Sequence, residues 1–277
     1  MEDKYVLLPV DSNGLYRIRA LKDFADIKKG EIGGYVSSEC NLSHEGTCWI
    51  SRTARVTGNA KVTNNAIVSG YSRIYDNAII KDQAKVHGES RIYENAIIKD
   101  NAEIMGHAKV NCNAVISGNA TVLDYSFVSG YTKVYENAFI YGNARVYGNA
   151  KVHGNTSIYG AAHIYGDAEI CDKAKIHDSA EISGKVKVSG RVEISGRAKF
   201  VGNLKISHDS DYKCIGPLGS RSSYLTYVHK ADMYITGCFD GNTEEFLEAI
   251  AHAYGNTDIG IIYKQAIKAI QIFYPNN

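Results

Sequence analysis

From Ala54 to Asp209 the chain repeats one six-residue phrase twenty-six times without an inserted or missing residue. It opens ARVTGN AKVTNN AIVSGY SRIYDN and closes AKFVGN LKISHD. Position one is nearly always Ala, Ser or Thr, position three is always Val, Ile or Phe, and positions five and six are mostly Gly, Asp, Asn or Glu. Positions one and three therefore face one way and two and four the other, which is the alternation of a strand, and the Gly/Asn/Asp pair that follows turns a corner. A fixed period this short specifies a solenoid.

A longer period runs through the short one. SRIYDNAIIKD at 72–82 returns as SRIYENAIIKD at 90–100, an offset of eighteen residues. Three strands and three corners close a triangular coil, and coils stacked at about 4.8 Å set each residue above the one eighteen earlier. The twenty-six phrases make just under nine coils around a column of Ala and Val/Ile. This column is narrow, so position one must stay small.

The repeat resembles the hexapeptide-repeat proteins that fold as left-handed parallel β-helices. The resemblance, not the periodicity, implies the hand. Gly follows the aliphatic residue one place later than is usual in that group, as in Val146-Tyr147-Gly148-Asn149-Ala150. The expected fold is mainly β: a single-stranded left-handed parallel β-helix with an N-terminal β-hairpin cap and a small α+β C-terminal domain. Its expected bounds are 1–35, 36–209 and 210–277.

In the first segment, KYVLLPVDSNGLYRIRA reads as two strands around Asp11-Ser12-Asn13-Gly14, a hairpin that covers the open sheet edge of the first coil. In the later frame Val36, Leu42 and Cys48 fall at position one of three degenerate phrases. Asp23, Phe24, Asp26, Ile27, Gly30, Gly33, Gly34, Tyr35 and Val36, followed by Leu42, Ser43, Gly46, Cys48, Trp49 and Ile50, form a pattern similar to the start of the YdcK-like β-helix proteins of enteric bacteria and their phage and prophage homologues. That family brings no established activity. After Asp209, SYLTYVHK and MYITGCF read as strands, Asn242 and Glu245 as a capping box, and 243–254 and 257–274 as helices. The GCF-x-G-x-x-EEF run resembles the tail of phage-encoded β-helix proteins, which implies a phage or prophage gene.

Net charge is +1, from 31 basic and 30 acidic residues, so the overall balance points to no partner and excludes an acidic DNA mimic. Six cysteines lie scattered with no C-x-x-C pair, which argues against a zinc cluster and fits a reducing compartment. The start MEDKYVLLPV has acidic residues and no long apolar run, so neither a leader nor a membrane contact is expected, and the cytoplasm of a bacterial host cell is the expected location.

The outward positions form ladders. On one face position two runs Arg55, Arg73, Arg91, Lys109, Phe127, Arg145, His163, beside Thr57, Tyr75, Tyr93, Asn111, Ser129, Tyr147, Tyr165 at position four. Cations flanked by tyrosines suit a phosphate-bearing or acidic partner, and equally suit a well-packed exposed sheet. The expected partner-binding residues are Arg73, Tyr75, Arg91, Tyr93, Lys109, Arg145, Tyr147, His163 and Tyr165. The second face carries Ile79, Ile97 and Val115, and the third carries Met105, Leu123, Phe139 and Tyr141. Apolar patches of this kind suggest a homo-oligomer interface.

No loop interrupts the repeat, whereas the acyltransferases of this fold carry a catalytic histidine on such a loop. No two histidines lie within nine residues of each other, and His87, His107, His153, His163 and His177 occupy repeat positions expected to face solvent. Neither catalytic residues, a metal site nor a cofactor is expected. The sequence reads as a non-catalytic protein that presents flat faces to a host protein or nucleoprotein complex, its most concrete version an inhibitor of a bacterial defence or regulatory complex, with nucleic acid a candidate partner of the basic face. An acyltransferase-like enzyme with a site between subunits, or a self-assembling scaffold, are the alternatives.

Overall fold

The computed structural model describes residues 3–219 and 223–274. The repeats coil into a parallel β-solenoid with three walls, each built from nine two-residue strands at positions two and three. The first wall runs from Arg55–Val56 to Lys199–Phe200, the second from Lys61–Val62 to Lys205–Ile206 and the third from Trp49–Ile50 to Glu193–Ile194. Within the repeat every strand pairs with the one eighteen residues away, as Arg73 with Arg91 and Ile97 with Val115. Position-one Ala and position-three Val or Ile are fully buried throughout.

Polar exceptions in the column satisfy themselves. The buried hydroxyls of Ser90, Ser126 and Thr132 donate to the carbonyls three residues back, at 2.9, 2.6 and 2.6 Å. Corner position five is left-handed in every phrase but the last, where His208 is extended, with φ of 58° at Asp76 and 75° at Gly88 for example. Gly, Asn and Asp tolerate this conformation best. A Cβ on Gly88 would meet the next coil's Gly106 nitrogen at 2.7 Å, so this corner requires glycine. Where Asp or Glu occupies the corner, its carboxylate accepts the N–H of the next corner, as Glu94 does from Cys112 at 2.9 Å. At position six, Asn59, Asn77, Asn95 and Asn113 hand amide hydrogen bonds up one edge at 3.1 to 3.4 Å.

The predicted hairpin is present, as Tyr5–Leu7 against Tyr16–Ala20, with the Asp11 carboxylate accepting the N–H groups of Asn13 and Leu15. It joins the first wall through Ile32–Val36, which pairs with Arg55–Val56. Here the register departs from the sequence frame. Val36 lies beside Val56 and Leu42 beside Val62, twenty residues apart, so both stand at position three, while Cys48 does hold position one. The first coil carries two extra residues before Cys48, and Lys4 and Tyr5 reach over it. Lys4 Nζ donates to the Cys48 carbonyl at 3.0 Å, and the Tyr5 hydroxyl to that of Leu42 at 2.7 Å.

At the other end a four-stranded antiparallel sheet of Tyr212–Leu218, Ser223–Val228, Met233–Thr236 and Phe239–Gly241 lies across the last coil. Val228 and Ile235 join the solenoid core, while Leu225, Tyr227 and Tyr234 face the helices α1 (Thr243–Tyr254) and α2 (Asp258–Phe273). The Asn242 and Glu245 capping box forms as predicted. Two strands were not legible in the sequence. Gly216-Pro217 reads as a breaker, yet it sits in an edge strand whose register shifts at that point, and a proline is tolerated there. No described helix is long and apolar enough to cross a membrane.

Candidate binding face

Register turns the first wall into one line of outward side chains. From the hairpin onward it reads Arg17, Tyr35, Arg55, Arg73, Arg91, Lys109, Phe127, Arg145 and His163, each the direct neighbour of the next on the adjacent strand. Arg17 and Tyr35 lie outside the repeat, so sequence reasoning missed them. They extend the line because the hairpin continues the same sheet. The Arg17 and Arg55 guanidinium groups lie 4.8 and 5.5 Å from the centre of the Tyr35 ring, within cation–π range.

Among the described residues no carboxylate lies within 4.0 Å of Arg55, Arg73, Arg91, Lys109 or Arg145. Like charges directly opposite on neighbouring strands are destabilising. The wall therefore sets like charges on neighbouring strands without a direct ion pair, with the carboxylates of Asp76 and Glu89 at its margin. At position four the rings of Tyr75 and Tyr93 stack at 4.9 Å, and those of Tyr147 and Tyr165 at 5.0 Å. Desolvation raises the pKa of all four hydroxyls, which stay neutral donors.

Between the two stacks the buried Asn111 and Ser129 replace tyrosine and interrupt the ladder. A shallow depression of about 460 Å³ lies at this level, lined by Arg91, Tyr93, Lys109, Phe127 and Arg145 together with Glu89, His107 and Tyr125. The last three are corner residues at position six, which face-by-face reading left out. Offset-eighteen stacking, which sets the His107 ring 4.6 Å from Tyr125, was the signal that could have included them. A second depression of about 420 Å³ lies among Thr57, Gly58, Arg73, Tyr75, Asp76 and Arg91. The cationic run ends where Glu181, paired with His163 across the sheet, accepts the Tyr165 hydroxyl.

The apolar residues also fall into register. Ile79, Ile97 and Val115 are half-buried direct neighbours on the second wall. On the third, Met105, Leu123 and Tyr141 are half-buried, Phe139 is 38% exposed, and the Phe139 and Tyr141 rings lie 4.9 Å apart.

The histidines need a correction. His87, His153 and His177 at position four each lie against a glutamate two places earlier in the next coil: Glu103 at 2.9 Å, Glu169 at 3.6 Å and Glu193 at 3.0 Å. The His153 and His177 rings also stack on Tyr135 and Tyr159, both at 4.7 Å, leaving their side chains only 21% and 15% exposed. Stacking covers these rings, so they do not simply face solvent. It also gathers His153, Glu169 and Cys171, whose ligand atoms lie within 4.8 Å of one another. Their sequence offsets of sixteen and eighteen hide this cluster from any short-spacing search.

Comparison with known proteins agrees with the repeat. Residues 138–154 match the family model described as the YdcK β-solenoid repeat. The chain is 37% identical over 59 residues to the Escherichia coli (strain K12) protein named "Uncharacterized acetyltransferase YdcK", a match covering 21% of this chain and 18% of that protein. The match spans under a fifth of this relative's length.

Proposed function

We propose that this protein is a non-catalytic binding module whose first wall captures an extended anionic surface on a macromolecular partner. The observation that carries the reading is the line Arg55, Arg73, Arg91 and Lys109, neighbours at strand spacing with no described carboxylate within 4.0 Å. At about 4.8 Å per strand their potentials add within one Debye length, and the flanking tyrosine stacks offer rigid contact area. The phage-like tail signature supports a phage or prophage origin and a partner inside the bacterial host cell, either a nucleoprotein or an acidic protein complex of defence or regulation.

The test is capture from host lysate by the tagged chain and by its Arg73→Glu/Arg91→Glu variant, read by mass spectrometry. The expected result is one stoichiometric partner complex that the variant loses. A nucleic-acid partner would also dissociate steeply with salt. Equal capture by both proteins would refute the reading. The apolar patches support self-association, for which the expected outcome is an oligomer in sedimentation that Ile97→Lys/Val115→Lys dissociates if the second wall is used.

The name of the E. coli relative favours a second reading, an acyltransferase with its site between subunits. Against it stands the constant eighteen-residue register from Trp49 to Ile206, which leaves no inserted catalytic loop. Tight acetyl-coenzyme A binding in calorimetry would overturn the first reading in its favour.

A further inference from the structure

We propose that His153, Glu169 and Cys171 on the second wall form a binding site for a late first-row divalent metal ion of the zinc type, with a coordination position left to solvent. The stacking of two coils builds the site. His153 and Cys171 hold position four of consecutive coils, and Glu169 holds position two of the upper one, beside its strand partner Lys151. Zinc bonds of about 2.0 to 2.3 Å in a tetrahedron set ligand atoms roughly 3.3 to 3.8 Å apart. His153 Nε2 and Glu169 Oε1 already stand at 3.6 Å, and all three ligand atoms lie within 4.8 Å, so closure by about an ångström completes the set. One imidazole, one thiol and one carboxylate suit zinc and its neighbours, whereas calcium and magnesium prefer oxygen alone.

The surroundings hold the imidazole in place. Tyr135 stacks on its ring at 4.7 Å and 5°. On the ring's other nitrogen, Nδ1, the Glu136 carboxylate stands at 3.8 Å, itself anchored by the Gly154 N–H at 2.8 Å. A carboxylate behind a histidine ligand favours a proton on Nδ1 and leaves the Nε2 lone pair for the metal. Lys187 Nζ, 2.6 Å from Glu169 Oε1, keeps that carboxylate charged and oriented in the metal-free protein.

The chain contains its own controls, because the histidine–glutamate pair occurs twice more in the same geometry. His87 and Glu103 have Met105 where Cys171 would stand, and His177 and Glu193 have Ser195. Only the coil at His153 supplies a thiol as the third donor.

The test titrates Co²⁺ into the full chain freed of metal, reading the thiolate-to-cobalt charge-transfer band and the intense visible bands of tetrahedral cobalt. One equivalent is expected to bind and to be displaced by Zn²⁺. Cys171→Ser should abolish the charge-transfer band and weaken binding about 100-fold, and His153→Gln should weaken it comparably. His177→Gln and Cys112→Ser should change neither. Should Cys171→Ser fail to fold, His153→Gln with the thiol intact decides the matter. The proposal is overturned if the native chain shows no thiolate band, if the band survives loss of Cys171, or if His177→Gln matches the effect of His153→Gln.

Discussion

The N-terminal and C-terminal halves of the solenoid share one coil, one core and one corner, yet they treat outward charge differently. In the first half, Arg55, Arg73, Arg91 and Lys109 stand in line with no described carboxylate within 4.0 Å. In the second half, several cations instead find a carboxylate on the neighbouring strand, although Lys133 still faces Lys151 and Lys187 faces Lys205. Glu169 lies between Lys151 and Lys187 on the second wall, and Glu181 faces Lys199 on the first, with ion pairs at 2.6 Å for Lys187 with Glu169 and 3.7 Å for Lys199 with Glu181. The ends follow the same division. A short turn closes each end, its last residue accepting two backbone N–H groups, those of Ser37 and Ser38 at Asn41 and those of Ser207 and His208 at Asp211. Asn41 completes itself with neutral amide bonds to the Gly58 and Ala60 carbonyls, whereas Asp211 takes an ion pair from Lys230 at 2.8 Å. The fold accepts either arrangement, so the unpaired run of the first half is not imposed by the backbone.

The largest test asks whether the halves are alike inside. Ile98 and Ile170 are both fully buried, one in each half. Replacing either by Asp puts an unpartnered charge in the column and should cost several kcal/mol, seen as a large, equal fall in denaturant midpoint. A marked inequality would mean that the two cores differ.

Acid should separate the halves next. Burial pushes the Asp211 carboxyl up, but hydrogen bonds from Lys230 and from the Ser207 and His208 backbone more than offset this and bring it to about 2. A pKa held below its unfolded value contributes stability that is complete above about pH 4 and lost as pH falls from there toward 2. Lys187 likewise holds Glu169 below the ordinary carboxylate range. Between pH 5 and pH 2, hydrogen-exchange protection, taken relative to the intrinsic rate at each pH, should fall at the C-terminal end before the N-terminal end. Asp211→Asn should cost about 2 kcal/mol at neutral pH and flatten the acid limb. A uniform loss of protection would remove the distinction between the ends.

The smallest effects are in charge reversals, where opposite signs are expected. Arg91→Glu places a carboxylate between Arg73 and Lys109 and should be neutral or stabilising by a few tenths of a kcal/mol. Glu169→Lys creates a run of like charge from Lys151 to Lys187 and should destabilise by up to about 1 kcal/mol. Thermal shifts of the same sign would show that the first wall carries no stored repulsion.

Much of this architecture was legible because the repeat is local. Each phrase holds its own inward pair, outward pair and left-handed corner, so the Ala and Val/Ile column and the ladder from Arg73 to Tyr165 could be placed by counting eighteens. Counting failed where locality failed. Val36 and Leu42 shifted by two places because the first coil has two extra residues, and the strand Tyr212–Leu218 was hidden by Gly216-Pro217 at a sheet edge.

The sequence by itself determined the coil, its period, its narrow core and which residues face outward, because in a solenoid each residue's neighbours lie at a fixed chain offset. The tertiary structure alone decided what those outward residues meet. Whether Arg91 finds a carboxylate, whether His153 lies under a glutamate and a thiol, and whether Arg17 extends the basic line depend on side-chain reach between coils and on how the hairpin joins the wall, and no hexapeptide encodes either.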